Sequence, residues 1–254
     1  MTRLRLTGSA AGGRLRTGGL VLAAITGGAV VGVAADFVLH GPASTARTKG
    51  VSRASSGPSS VLVQQMASAP PVSFAWVRWR DYHGVLLPYS SGDGPRIVRG
   101  DLASGFARTP LGALLAAVHV AVRANAQWGP KVFEPTIKDQ VIGPDAASLL
   151  TATQGLYDKR RGHLRDGAAL GRAYAVLEGF RWQGYSSDTA SLDLVSAGPG
   201  DSDVTVRAVT RLQLRWQNGD WRVIAPPGGT WGGSAASIPS PDGYVRFPNG
   251  GGGS

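Results

Sequence analysis

Few residues in this chain have the type and spacing for acid–base or ligand chemistry. Asp81 and His83 lie two apart, so on a strand they would share a face, and a carboxylate can orient a histidine for general-base work. The competing reading is a hydrogen-bonded loop pair between Trp79 and Gly84. No nucleophile or second acid is fixed nearby by sequence, which favours the loop. His119 falls one residue from the stripe of an apolar helical run. There it either points into an interior pocket or sits as a satisfied boundary residue, the commoner outcome for such a histidine. Gly198-Pro199-Gly200-Asp201-Ser202-Asp203 offers calcium only two acids, and a hairpin turn is the better reading for an ion that takes six or more oxygens.

The chain has no cysteine, which excludes disulfides, thiolate zinc sites and cysteine nucleophiles. Its histidines, His40, His83, His119 and His163, are not spaced as a metal pair on a helix turn. No catalytic residue, metal or cofactor is therefore assigned, and the expectation is a protein without enzymatic activity.

Arg207, Arg211 and Arg215 occupy odd positions of a long strand-like run whose even positions are apolar. They form a basic stripe ~25 Å long at a rise of ~3.3 Å per strand residue. A solvated sheet face is the simpler account. As an interaction surface, the stripe suits anionic wall polymers, acidic protein surfaces or DNA. No aromatic residue interleaves with it, so single-stranded nucleic acid is disfavoured. The formal charge of +10 does not revive that reading. Residues 1–60 carry seven Lys/Arg against Asp36 alone, about +6, and the remaining residues carry nineteen against fifteen acids, about +4.

Most of that excess flanks a membrane signal. Thr17 to Ala35 holds no charge, close to the ~20 residues that a bilayer-spanning helix needs. Arg3, Arg5, Arg14 and Arg16 precede it and Asp36 follows. The positive-inside bias then leaves residues 1–17 in the cytoplasm, residues 18–39 as a single transmembrane helix and the rest outside. Val33-Ala34-Ala35 is an alternative signal cleavage site. Gly28 and Gly32 form a GxxxG pair that would let two spans pack closely, although glycine is common throughout this chain.

Residues 40–71 are rich in Ser, Ala, Gly and Pro and read as a flexible linker. Residues 232–254, ending in GGGGS, read as a flexible tail. Between them, 72–231 reads as one extracytoplasmic α+β domain. Two short strands surround Phe74–Trp79 and Val85–Leu87. Thr109-Pro110 opens an amphipathic helix with Leu111, Leu114, Leu115, Val118 and Val122 at helical spacing. A short helix is expected within Val132–Val141. Another starts at Asp145, with Ala146, Leu149, Leu150, Thr153, Leu156 and Tyr157 on one face, and stops at Gly162. The period then becomes two. Tyr174, Val176, Phe180 and Trp182 share a parity, as do Ala190, Leu192 and Leu194. The clearest strand is Val204–Trp216, followed by the Asn218-Gly219 turn.

Helices followed by an antiparallel meander, with RLQLRWQNGDWRVIAPP at its end, resemble the nuclear transport factor 2-like cone fold over about residues 105–226. That resemblance implies helices packed on a curved antiparallel sheet. The cytoplasmic Arg-rich end, single span, tether and such a domain look like the single-span assembly components of type IV secretion and conjugation machines. WRDYHGVLLPYSSGDGP and LASGFARTPLGALLAAVHVAVRAN are also similar to stretches of membrane-anchored proteins of actinobacterial conjugative elements. The resemblance implies a non-enzymatic scaffold whose partners are the membrane, other secretion or conjugation proteins and further copies of itself. The other readings are a cone-fold enzyme or small-ligand binder with a pocket at His119, and a protein that binds cell-wall polymers. Crosslinking the isolated span in a bilayer tests the Gly28/Gly32 pair. A dimer lost on Gly28→Ile establishes the contact, and a strictly monomeric span removes it.

Overall fold

The computed structural model describes residues 71–200 and 204–248. The expected span with Gly28 and Gly32, the cytoplasmic end, nearly all of the linker, Asp201–Asp203 and the GGGGS end lie outside them. Among the described residues no helix is long and apolar enough to cross a membrane. The architecture is α+β.

Two hairpins come first. Strands β1 (Val77–Tyr82) and β2 (Val85–Ser90) pair antiparallel. They turn through His83 and Gly84, both at positive φ, the geometry a two-residue hairpin requires. Strands β3 (Ile97–Arg99) and β4 (Leu102–Ser104) form the second. Helix α1 (Pro110–Arg123) then starts at Thr109, whose side chain accepts from the Gly112 amide at 2.9 Å. Contrary to the amphipathic expectation, Gly112 to Arg123 are all buried. Alanines at 113, 116, 117 and 121 let neighbours close over the side opposite the leucines, so the helix runs through the core. It contacts β2 and β4 as well as the main sheet. Helices α2 (Pro130–Gln140) and α3 (Ala146–Arg161) pack on each other. Leu149, Thr153 and Tyr157 are the buried face of α3, and Gly162 ends it at φ 52°. Asp145 stands at the N-cap position, but its side chain makes no capping bond.

The main sheet is a meander of β6 (Val176–Tyr185), β7 (Thr189–Pro199), β8 (Thr205–Gln217) and β9 (Asp220–Ile224). Strand β5 (Val141–Ile142) lies parallel to β9 at one edge. Asn218 and Gly219, at φ 54° and 76°, make the β8–β9 turn as expected. Ala208, Thr210, Leu212 and Leu214 are the buried alternation of β8, and α1 contacts β7, β8 and β9.

The parity expected in β6 does not hold along its length. The register slips between Leu177 and Gly179, leaving Glu178 as the extra residue of a β-bulge. Leu177, Phe180 and Trp182 thereby pair with Ser196, Leu194 and Leu192 on the core side. Val176 is turned to the other side and exposed. One inserted residue moves an entire side-chain set across a sheet.

The expected tail is also corrected. Residues 232–248 are part of the fold. Strand β10 (Ala235–Ser237) pairs with Ala208–Thr210 at one edge of the meander. Strand β11 (Val245–Arg246) pairs with Gly179 and Phe180 at the opposite edge. The chain between them crosses the face away from α1 as a strap. It ends with Phe247 buried against Phe180, Phe74 and Trp79, at ring-centroid distances of 5.6, 5.7 and 5.3 Å. Gly179 makes room for the strap, since a Cβ there would collide with the Val245 carbonyl oxygen. Phe247→Ala should lower unfolding stability by about 3–5 kcal/mol, the usual cost of emptying a buried aromatic site. Urea titration of the variant checks this, and a midpoint equal to wild type would mean that the strap adds nothing.

Candidate functional site

The sheet face beneath the strap carries the arginine stripe, and its charges are organised by register. Arg181, Asp193 and Arg211 are direct cross-strand neighbours on β6, β7 and β8. Asp193 is buried, and both of its oxygens accept. Oδ1 takes the Arg211 Nε–H at 2.9 Å, while Oδ2 takes Arg211 and Arg181 Nη2, each at 3.3 Å, and the Gln183 amide at 2.6 Å. The hydrogen bond to Asp193, then its charge, raises the Arg211 pKa further above its ordinary value. The strap adds Tyr244, whose ring lies 4.6 Å from the Arg181 guanidinium and whose hydroxyl accepts from Arg181 Nη2 at 3.4 Å.

Arg207 is bound to Glu178, its Nε donating to both carboxylate oxygens at 3.1 and 2.9 Å. The bulge puts that carboxylate there. Arg215 is exposed and pairs in register with Arg222 of β9. The expected uniform stripe is therefore three different environments: an ion pair at Arg207, a shared carboxylate at Arg211 and a solvent-facing cation at Arg215. Around Arg211 the strap and sheet enclose a cleft of about 460 Å³, which Arg181, Asp193, Gln213, Ile224, Ser234 and Tyr244 help to line.

His119, the residue expected at a pocket, is held inside the core. It is fully buried, its Nε2–H donates to the Pro88 carbonyl at 2.7 Å, and its Nδ1 accepts from Arg123 Nη1 at 2.7 Å. Those two bonds define the neutral imidazole with the proton on Nε2. Burial, then the Arg123 charge, depresses its pKa well below 6.5. Arg123 is itself buried. Its Nε donates to the Asp101 carbonyl at 2.6 Å, Nη2 reaches the Tyr89 hydroxyl at 3.4 Å, and the guanidinium lies 4.4 Å from the Tyr82 ring centre. Tyr82 donates to the Asp101 carboxylate at 3.2 Å, and burial raises its pKa. Asp81 and His83 are not joined to each other. Asp81 Oδ1 accepts from the Gly84 amide at 3.2 Å and from Arg172 at 3.0 Å. The His83 ring packs on Tyr82 and Trp128. No group of three His, Asp or Glu suited to a metal ion occurs among the described residues.

Sequence reasoning missed Arg181, Asp193, Tyr244 and Arg123. Asp193 had a legible signal, a lone acid between Leu192 and Leu194 facing the basic stripe. Tyr244 had none, because it lies in a Gly- and Pro-rich segment.

These features define an α+β domain with a bulged antiparallel meander, a buried central helix and a C-terminal strap that closes a charged cleft. The chain belongs to the DUF8175 family, a domain of unknown function, whose model matches residues 40–246. No curated protein and no solved structure matches the chain.

A histidine held neutral in the fold has a sign-determined effect on stability. Its folded pKa is depressed, so its contribution is complete above pH 6.5 and is lost as pH falls, because only the unfolded chain then takes the proton. The slope from this one group is at most about 1.4 kcal/mol per pH unit. Urea midpoints at pH 7.5 and 5.0 should therefore differ more for wild type than for His119→Gln, which keeps a donor and an acceptor but does not titrate. Equal pH slopes would show that His119 is not the group responsible.

Proposed function

We propose that this protein is a membrane-anchored, non-enzymatic assembly component of a conjugation or type IV secretion-like apparatus. It works through contacts of its extracytoplasmic domain with other proteins of the apparatus and with copies of itself. The uncharged run from Thr17 to Ala35, preceded by Arg3, Arg5, Arg14 and Arg16, supports the anchoring through residues 18–39. The order α1, α2, β5, α3 and then the β6–β9 meander supports a nuclear transport factor 2-like cone.

The observation that carries the reading is the exposed end of the meander. Tyr174, Val176, Val204 and Val206 are 64%, 41%, 59% and 40% exposed. Tyr174, Val176 and Val204 border one groove of about 400 Å³ with Pro199 and the Arg207–Glu178 pair. A grouped apolar surface rimmed by an ion pair is what a protein contact site presents before its partner covers it. The polar groups first considered for catalysis are meanwhile engaged in holding the fold.

Deleting the coding region from donor cells should lower conjugative transfer, and the wild-type chain should restore it. The double variant Val176→Asp with Val204→Asp should retain the wild-type thermal midpoint yet fail to restore transfer. Undiminished transfer after deletion would sink the proposal, and full restoration by the double variant would remove this surface from it.

A further inference from the structure

The cleft between the strap and the sheet holds more donor capacity than its own acceptors use. Asp193 accepts four hydrogen bonds, from Arg181, Gln183 and twice from Arg211. Both arginines remain about half exposed. Among the described residues, Arg211 Nη1 and Arg181 Nε and Nη1 meet no acceptor, the bonds of these two side chains being made by Arg181 Nη2 and by Arg211 Nε and Nη2. The ionisable lining of Arg181, Asp193 and Arg211 sums to one excess positive charge. The rest of the lining is of mixed kind. Ile224, Val209 and Pro226 give apolar wall, while Gln213, Ser234 and Tyr244 give neutral hydrogen-bonding groups. At about 460 Å³ the cleft falls within the range of small-molecule sites.

We infer that this cleft binds an oxyanion carried on a small hydroxylated body, with Arg181 and Arg211 as the anion-binding pair. Asp193 plays the positioning part. Its single buried carboxylate draws two cations from neighbouring strands to one point and neutralises half of their charge, which keeps them from separating. The oxyanion takes the remaining N–H groups, and charge-assisted hydrogen bonds of that type are the strong ones. Gln213 and Ser234 meet the hydroxyls. Tyr244 holds Arg181 from the strap side, and with Ser234 it makes the strap one wall of the site. This chemistry has two sources, a carboxylated sugar or a phosphorylated polyol, and both occur in anionic surface polymers.

The test is titration calorimetry on the full chain with three probes at constant ionic strength: glucuronate, glycerol 3-phosphate and glucose. One or both of the anions should bind and glucose should not. Binding of glucuronate alone assigns the carboxylate source and binding of glycerol 3-phosphate alone the phosphate source; either supports the site. Arg211→Gln should weaken binding about tenfold, the effect of one charge-assisted contact. Because that change also releases Asp193, Gln213→Trp is the second variant. It fills the cleft, leaves every ion pair intact and should abolish binding at an unchanged thermal midpoint. Absence of binding by both anions, equal binding of glucose, or anion binding unaffected by Gln213→Trp would overturn the inference.

Discussion

A guanidinium in the interior has to be answered from every side, and Arg123 imposes that condition on half of this domain. Leaving one such charge buried without partners would cost several kcal/mol. Its partners come from α1 itself through His119, from β2 through Tyr89, from β1 through the face of Tyr82, and from the residue before β4 through the Asp101 carbonyl. The two small N-terminal hairpins have little core of their own. They dock through the buried side chains of Val85, Leu87 and Ala103 and through this cation's shell, and burial together with the Arg123 charge keeps His119 neutral. A histidine that looked available for chemistry is spent as an acceptor for an arginine.

The rest of the domain is set by how the meander uses its two faces. Toward α1 it presents Phe180, Leu192, Leu194, Leu212 and Leu214, a continuous apolar layer. Away from α1 it presents charges matched across strands. The bulge at Glu178 makes both arrangements compatible. It places a carboxylate beside Arg207 and restores the inward direction of Phe180 and Trp182. Another buried carboxylate, Asp220, ties this sheet to the start of α1. It accepts from the Gly105 and Phe106 amides at 2.9 Å each, beside the Trp221 indole N–H that donates to Ala107 at 2.8 Å. The connector into the central helix is therefore hung from the β8–β9 turn.

Local signals were legible where the chain's own chemistry determines geometry. Thr109-Pro110 capped a helix, Gly162 ended one, and Asn218-Gly219 turned a hairpin, each for reasons contained within a few residues. The alternation of β8 was readable because no insertion interrupts it between Ala208 and Leu214. Features that depend on a distant partner were not readable. The bulge in β6 is defined only against β7, so Tyr174 and Val176 were assigned to the wrong side. Residues 235–247 read as tail from sequence because Gly, Pro and Ser dominate their surroundings, whereas β10, β11 and Phe247 acquire their roles from edges and aromatics supplied by residues far earlier in the chain. For the site, the arginines were visible as a stripe. Their division into a paired, a shared and a solvent-facing cation depends on Glu178 and Asp193, of which only Asp193 carries a signal in the sequence.

The strap also sets an order of events. Strands β6 to β9 are sequential neighbours and can zip as soon as they are made, since their pairings close only short loops. Phe74, Phe180 and Trp79 cannot be sealed at that stage, because Phe247 has yet to be synthesised. During emergence from the ribosome the domain therefore passes through a form with an open aromatic face and two unpaired sheet edges, ready to associate wrongly. Residues 235–247 act on this form as a latch. A single segment covers both edges and the aromatic face together, which couples the arrival of residues 235–247 to the loss of these open surfaces.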